Sequence, residues 1–134
     1  AEPWARINCE TYGVNFVHGD ALSALEGLGG YFDAVVSNPP YIPQGRVPAE
    51  PEAAQHDPDM ALYGGSADGM QIPAAVAARA AYLVKPGGFF IMEHDETQQE
   101  AVAEVFNELG FLRVRCVHDL AGRPRHTCGY RPTV

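Results

Sequence analysis

The sequence predicts an α/β fold in which a mostly parallel sheet is covered by helices on both faces and carries an antiparallel edge at its C-terminal end. Two observations lead to this fold class. Short apolar runs typical of strands alternate along the chain with segments of helical periodicity, and glycine or proline separates them. The last two strand-like segments are joined by a short loop, which suits an antiparallel pair. The 134 residues, 46% of them hydrophobic, suffice for one globular domain.

The first part of the chain is expected to alternate between helix and strand. A helix over residues 4–12 ends at Gly13, because glycine readily adopts the left-handed conformation that closes helices. Residues 14–18 are predicted to form a strand, residues 21–28 a short helix, and residues 32–37 a second strand with an apolar centre.

The second part is predicted to contain two helices and three strands. Pro73 fits only the first turn of its helix, and Asp95 with Gln98 resembles a capping pair at the start of the next. The helix that contains Pro73 is broken by residues 85–88, Lys-Pro-Gly-Gly. The helices are expected over residues 70–84 and 96–109, and the strands over residues 89–92, 111–118 and 126–131.

Residues 38–69 show no periodic apolar pattern and hold six of the eleven prolines. They begin with Asn38, Pro39, Pro40 and Tyr41, called below the 38–41 corner. Its prolines fix φ and remove backbone donors, so the chain can continue neither as a ladder strand nor as a helix. An amide, bare carbonyls and an aromatic ring on a rigid turn suit the binding of a small planar polar group. The alternative is a proline-rich strand exit that only turns the chain.

Polar residues follow three of the predicted strands. They are residues 19–20 after the first, the 38–41 corner after the second, and Glu93, His94 and Asp95 after the third. Ligands of such sheets bind outside the carboxyl ends of the strands, so we expect the three exits to face one crevice. In the third exit we interpret Asp95 as a helix cap, His94 as a residue of the rim and Glu93 as a polar strand end, and assign none of them a role in the site.

Charge and composition narrow the classes of function. Seventeen acidic and nine basic residues give a net charge of −8, which opposes binding to phosphate backbones. No uncharged apolar stretch reaches about 18 residues, and the start lacks a targeting pattern, so we expect a cytoplasmic protein without membrane contact. The three cysteines and five histidines are scattered, which predicts free thiols and no metal site.

Several short motifs occur in an order that resembles the HemK/PrmC family. That family comprises S-adenosylmethionine-dependent protein-(glutamine-N5) methyltransferases that modify peptide-chain release factors, and S-adenosylhomocysteine is their product. The resemblance covers nearly the whole chain. The motifs are Gly19-Asp20, Asn38-Pro39-Pro40-Tyr41-Ile42-Pro43, His56-Asp57-Pro58, Ala61-Leu62, Gly64-Gly65, Asp68-Gly69, Lys85-Pro86-Gly87-Gly88 and the closing segment from Asp119 to Arg125.

The resemblance implies that residues 1–134 are the C-terminal part of a catalytic domain with a Rossmann-like class I methyltransferase sheet. The family's N-terminal helical domain and its first strand with the glycine-rich cofactor loop have no counterpart in this sequence. In the family's sheet, the first two strands of the domain lie in space between the strand at residues 14–18 and the strand at residues 32–37. Without those two strands, this piece is expected to rearrange, to borrow strands from another copy as a strand-exchanged oligomer, or to leave a gap in the sheet.

The resemblance also implies roles for the 38–41 corner in catalysis and substrate binding. The Asn38 side-chain oxygen and the Pro39 carbonyl would accept the two N–H bonds of a glutamine amide. Tyr41 would pack its ring on that planar amide, and Pro40 would hold the Pro39 carbonyl in place.

For the cofactor, the resemblance implies a second group of residues. Asp20 would accept a hydrogen bond from the exocyclic amine of the adenine, Ala21 would lie beside the ring, and Asn38 would contact the cofactor as well as the substrate. For Asp20 the structural alternative is the N-cap of a helix over residues 21–28, and both roles can coexist.

Two other classes of function stay open at the level of sequence. The same corner suits an adenine amino group in DNA or RNA, or another protein amide, and Tyr41 could stack on a flipped base. The second alternative is a fragment or binding module that catalyses nothing, which the missing glycine-rich loop motivates.

Overall fold

A computed structural model describes residues 2–43 and 62–133. A four-stranded sheet with strand order β1-β2-β4-β3 forms the centre of the described part. The helices are α1 (Glu2–Thr11), α2 (Gln71–Leu83) and α3 (Gln99–Glu108), with a 3₁₀ turn at Glu96–Gln98, and the strands are β1 (Phe32–Ser37), β2 (Val84–Glu93), β3 (Leu112–His118) and β4 (Pro124–Tyr130).

The sheet confirms the predicted α/β class and the antiparallel C-terminal edge. Strands β1 and β2 are parallel, whereas β4 runs antiparallel to both β2 and β3. The described part of the sheet thus has one parallel pair and two antiparallel pairs, so its parallel share is smaller than the sequence predicted.

Two predicted elements near the start of the chain are wrong. Residues 14–18 form no strand, and Val14 and Val17 are more than half exposed. A strand needs a neighbour to pair its backbone groups, and no described strand lies beside these residues. Residues 21–27 form successive turns instead of a helix, because Leu25 has the left-handed φ of 63°, which a continuous helix excludes.

The core lies between the sheet and helices α2 and α3. Phe90 and Met92 alternate on one face of β2, and both are fully buried. Val102 and Phe106 from α3 pack on them, with the rings of Phe90 and Phe106 stacked at 5.0 Å. Ala77 of α2 packs into the same cluster. Because both helices cover this face and α1 has no buried residue, the described residues do not show the predicted helices on both faces.

Strand β2 starts earlier than the sequence predicted. The run Lys-Pro-Gly-Gly at residues 85–88 was expected to separate helix from strand, but the strand includes it. The backbone N–H of Gly87 donates to the carbonyl of Arg131 at 2.8 Å, and Arg131 donates back to the carbonyl of Gly88 at 2.9 Å. Hydrogen bonds from a segment far along the chain therefore hold this run in the sheet, with Gly87 at a left-handed φ of 79° that glycine adopts readily.

Two general properties of the chain follow from the same structure. Cys9, Cys116 and Cys128 are free thiols, as predicted. Among residues 2–43 and 62–133, no helix is long and apolar enough to cross a membrane.

Candidate functional site

The exits of the two parallel strands meet at one edge of the sheet. Ser37 at the end of β1 pairs with Met92 near the end of β2, so the chain leaves both strands at the same level. The phenol of Tyr41 donates a hydrogen bond of 2.8 Å to Oε1 of Glu93. The second and third predicted exits therefore lie together, as predicted from the sequence.

The phenol of Tyr41 is held by charged groups from two strands. It donates to Glu93 at the end of β2 and accepts a hydrogen bond of 2.7 Å from Nη2 of Arg125 at the start of β4. The Arg125 guanidinium also lies 5.7 Å from the centre of the Tyr41 ring and 3.8 Å from the Glu93 carboxylate. Burial, and next the hydrogen bond to Glu93, raise the pKa of Tyr41 far above its ordinary value, so the phenol stays protonated.

The backbone of the corner is anchored by Gln98. Its Nε2 donates to the carbonyl of Tyr41 and to the carbonyl of Asp68, both at 2.8 Å. Its Oε1 accepts from the backbone N–H of Asp95 at 3.0 Å. Gln98 is buried, so this one amide joins the corner, the segment at residue 68 and the start of α3 through three hydrogen bonds.

Residues 62–69 pack directly behind the corner. Ile42 forms a parallel bridge with Tyr63, and its N–H donates to the carbonyl of Leu62 at 2.8 Å. The N–H of Gly64 donates to the carbonyl of Ile42 at 3.0 Å. Gly69 approaches so closely that a Cβ there would collide with the carbonyl oxygen of Tyr41.

The two residues after Glu93 turn out to be structural. Asp95 accepts from the N–H of Thr97 and forms a capping box with Gln98, which confirms the predicted cap. The prediction that His94 lies on the rim is wrong, because it is fully buried. Its Nδ1 donates to the Asp95 carbonyl and its Nε2 accepts from the Thr127 hydroxyl, both at 2.8 Å. Burial lowers the pKa of His94, so the imidazole is held neutral.

Asn38 is the exposed member of the corner. Pro39 beside it is buried, whereas Pro40 and Tyr41 are partly buried. The corner thus presents one amide side chain to solvent on a turn whose neighbours are fixed. Such a group can accept a hydrogen bond from a bound N–H group, and no strong base is needed next to it.

Asp20 and Ala21 lie in a turn of their own, and both are exposed. Oδ1 of Asp20 accepts from the N–H of Leu22 at 2.9 Å, which is the predicted capping bond, here in a turn. Arg79 of α2 holds this turn by donating to the carbonyl of Ala24 at 2.7 Å. No hydrogen bond within the described ranges joins Asp20 or Ala21 to the 38–41 corner, and the convergence of the first exit with the other two stays a prediction.

Three residues at the site were not predicted from the sequence to belong to it: Glu93, Gln98 and Arg125. The only signal for Glu93 was its position at the end of a buried strand, and Gln98 was recognised only as a cap. Arg125 is 84 residues away from Tyr41 along the chain and reaches it through the pairing of β4 with β2. Among the residues that the structure describes, no group of three or more His, Cys, Asp or Glu could hold a metal ion.

Comparison with known proteins confirms the resemblance to the HemK/PrmC family. The chain is 42% identical over 131 residues to a release factor glutamine methyltransferase of Mycobacterium tuberculosis, covering 96% of the chain and 42% of that protein. It is 40% identical over 115 residues to one of Bifidobacterium longum, covering 86% and 39%. The chain therefore spans about two fifths of the length of these relatives. No protein-family model matches the sequence.

A relative with another name matches the same chain. It is a 4-amino-L-phenylalanine/4-methylamino-L-phenylalanine methyltransferase of Streptomyces pristinaespiralis, 41% identical over 106 residues, covering 79% of the chain and 36% of that protein.

Solved structures confirm the fold. An O-methyltransferase family protein from Burkholderia thailandensis matches with a TM-score of 0.61 at 18% identity, covering 98% of this chain and 41% of its own. The 1,6-didemethyltoxoflavin-N1-methyltransferase of the same species, solved with S-adenosylhomocysteine bound, matches with a TM-score of 0.54 at 17% identity, covering 96% and 56%. The described sheet thus matches part of the Rossmann-like sheet of these two proteins.

Proposed function

We propose that this chain is the C-terminal part of the catalytic domain of a methyltransferase that uses S-adenosylmethionine, called below the complete enzyme. Its substrate is the side-chain amide nitrogen of the glutamine in the Gly-Gly-Gln loop of peptide-chain release factors, and it acts in the cytoplasm. The observation that carries the proposal is the 38–41 corner, with Asn38 exposed on a rigid turn, in a chain about 40% identical to release factor glutamine methyltransferases.

The chemistry of an amide nitrogen explains why acceptors suit this site. The lone pair of an amide nitrogen is delocalised into its carbonyl, so the nitrogen is a poor nucleophile. Two acceptors, the Asn38 side-chain oxygen and the Pro39 carbonyl, aim the nitrogen and bind it more strongly as positive charge develops there. Tyr41 packs on the planar amide as a neutral ring, because its raised pKa excludes a role as a base near neutral pH. Pro40 keeps the Pro39 carbonyl in its direction.

The exposed acceptors of the described residues fit the adenosine end of the cofactor. Asp20 has a carboxylate on the surface, of which one oxygen caps the turn, and a carboxylate suits the exocyclic amine of adenine. Ala21 is small and exposed beside it, and Asn38 lies at the corner. When bound, the cofactor supplies an electrophilic methyl group on a sulfonium. The residues of this chain place the accepting nitrogen.

An exchange of Asn38 for alanine tests the proposal in the complete enzyme. Because Asn38 is exposed, Asn38→Ala should leave the fold intact while methyl transfer to the release factor falls by about 100-fold or more, as when one well-placed hydrogen-bond partner is removed. Mass spectrometry of the factor measures the transfer. Asn107→Ala, at a site on α3 that is also exposed, is the matched control and should keep wild-type activity. Full transfer by Asn38→Ala would remove the role given to Asn38.

A second candidate substrate is an amino group on an aromatic ring. The relative named as a 4-amino-L-phenylalanine methyltransferase favours it, because that match is also about 40% identical. An adenine amino group has the same planar geometry, although the net charge of −8 opposes nucleic acid. Incubation of the complete enzyme with each class of acceptor and labelled cofactor separates these substrates.

A further inference from the structure

Tyr41 is fixed at both ends by side chains from distant parts of the chain. At the far end, its phenol oxygen uses its one donor on Glu93 at 2.8 Å and accepts from Arg125 at 2.7 Å. At the near end, its carbonyl accepts from Gln98 at 2.8 Å. A ring held in this way cannot tilt or withdraw without breaking a charge-assisted hydrogen bond.

The two charged groups at the phenol are themselves partly buried. The side chains of Arg125 and Glu93 are 24% and 28% exposed and lie 3.8 Å apart, and Nε2 of His126 is 3.7 Å from the other Glu93 oxygen. Withdrawing two charges from water carries a desolvation cost that apolar packing at the same strand ends would avoid. Packing alone therefore does not explain why a charged pair lies at these strand ends. The group that both side chains contact is the Tyr41 phenol.

We propose that Glu93 and Arg125 are positioning residues that act through Tyr41 and set the plane on which the acceptor amide rests. This inference rests on the proposed function and deepens it by adding two residues to the site. Neither residue touches the reacting nitrogen. They affect the rate of methyl transfer because a small displacement of a group that orients the substrate lowers the rate strongly.

A double-mutant cycle in the complete enzyme tests this. Glu93→Gln keeps the size of the side chain and an acceptor for the phenol but removes the charge that pairs with Arg125. We expect kcat/KM for methyl transfer to fall by about 10- to 100-fold, mainly in kcat, with the affinity for S-adenosylhomocysteine unchanged. In the Tyr41→Phe background the same exchange should cost less than about 2-fold, because the group through which it acts has lost its oxygen.

Arg125→Lys provides a second variant should Glu93→Gln not fold. Lysine keeps the positive charge but lacks the planar guanidinium with its several donors. We therefore expect a smaller loss of kcat/KM than for Glu93→Gln, again only in enzymes that retain the Tyr41 hydroxyl. Glu104→Gln makes the same chemical change at an exposed position of α3 and should behave as wild type. Equal losses with and without the Tyr41 hydroxyl, or wild-type activity in both variants, would overturn the inference.

A failure of the proposed function has a different signature. In that case the wild-type complete enzyme leaves release factors unmodified. The positioning role is then read from the nuclear magnetic resonance spectrum of the 134-residue chain, in which the Asn38 side-chain amide should shift in Tyr41→Phe, Glu93→Gln and Arg125→Lys alike. An Asn38 signal at its wild-type position in the last two variants would overturn it.

Discussion

Replacing Gly69 by alanine should destabilise the chain and displace the 38–41 corner, because Gly69 packs against the carbonyl of Tyr41. Gly69 has a φ of +73°, and an added Cβ would collide with the carbonyl of Tyr41 and lie 2.9 Å from both Nε2 of Gln98 and the nitrogen of Pro43. Gly110 has a similar φ of +88°, but nothing lies within 4 Å of its Cβ position. The two sites therefore share the backbone strain and differ in packing.

The expected magnitudes follow from these two contributions. A left-handed conformation costs an alanine about 1–2 kcal/mol, which Gly110→Ala should show alone. Gly69→Ala adds overpacking of about 1–3 kcal/mol against backbone atoms that cannot rotate away. We thus expect a loss of about 2–5 kcal/mol in the free energy of unfolding for Gly69→Ala, clearly larger than for Gly110→Ala.

Urea denaturation of the 134-residue chain, followed by circular dichroism, measures both losses. In the complete enzyme, Gly69→Ala should also lower methyl transfer, because relief of the collision moves the carbonyl of Tyr41 and with it the corner. Gly110→Ala should keep its activity under conditions in which it is folded. Equal losses of stability in the two variants, within about 0.5 kcal/mol, would refute the packing of residues 62–69 against the corner.

Two further predictions concern stability. Burial lowers the pKa of His94 in the folded chain, so on acidification the unfolded chain binds the proton at a higher pH than the folded chain does. The contribution of His94 to the free energy of unfolding is therefore complete above about pH 6.5. It declines as the pH falls from there towards the pKa of His94 in the folded chain. Urea denaturation at about pH 7.5 and at about pH 5 measures the stability lost on acidification. His94→Asn should lose less than the wild type, whereas His118→Asn, a control at an exposed site, should lose as much as the wild type. Equal losses in all three proteins would contradict this prediction. Phe106→Ala should cost about 3–5 kcal/mol in the same assay at neutral pH, because the ring is fully buried and stacked on Phe90; a loss below about 1.5 kcal/mol would contradict the described core.

Elements with a strong local signal were predictable from the sequence. The apolar run at residues 89–92 lies in the buried strand β2, and Asp95 with Gln98 forms the capping box that its spacing indicates. The strand exits at Tyr41 and Glu93 could be placed together because parallel strands end at the same edge of a sheet.

Elements that depend on distant partners could not be predicted. Residues 14–18 have the composition of a strand but no described neighbour with which to pair. The contact of Arg125 with Tyr41 depends on the register between β4 and β2, and that of Gln98 with Tyr41 depends on where α3 starts relative to the corner. Local patterns contain neither kind of information.

The position of the transferred methyl group tests the central claim most directly. The complete enzyme is incubated with a release factor, RNA and a 4-amino aromatic amino acid in the presence of isotopically labelled S-adenosylmethionine, and the products are sequenced by tandem mass spectrometry. Label on the side-chain nitrogen of the glutamine in the Gly-Gly-Gln loop is the predicted result. Label on the aromatic or adenine amino group, with the release factor unmodified, would contradict the proposed function.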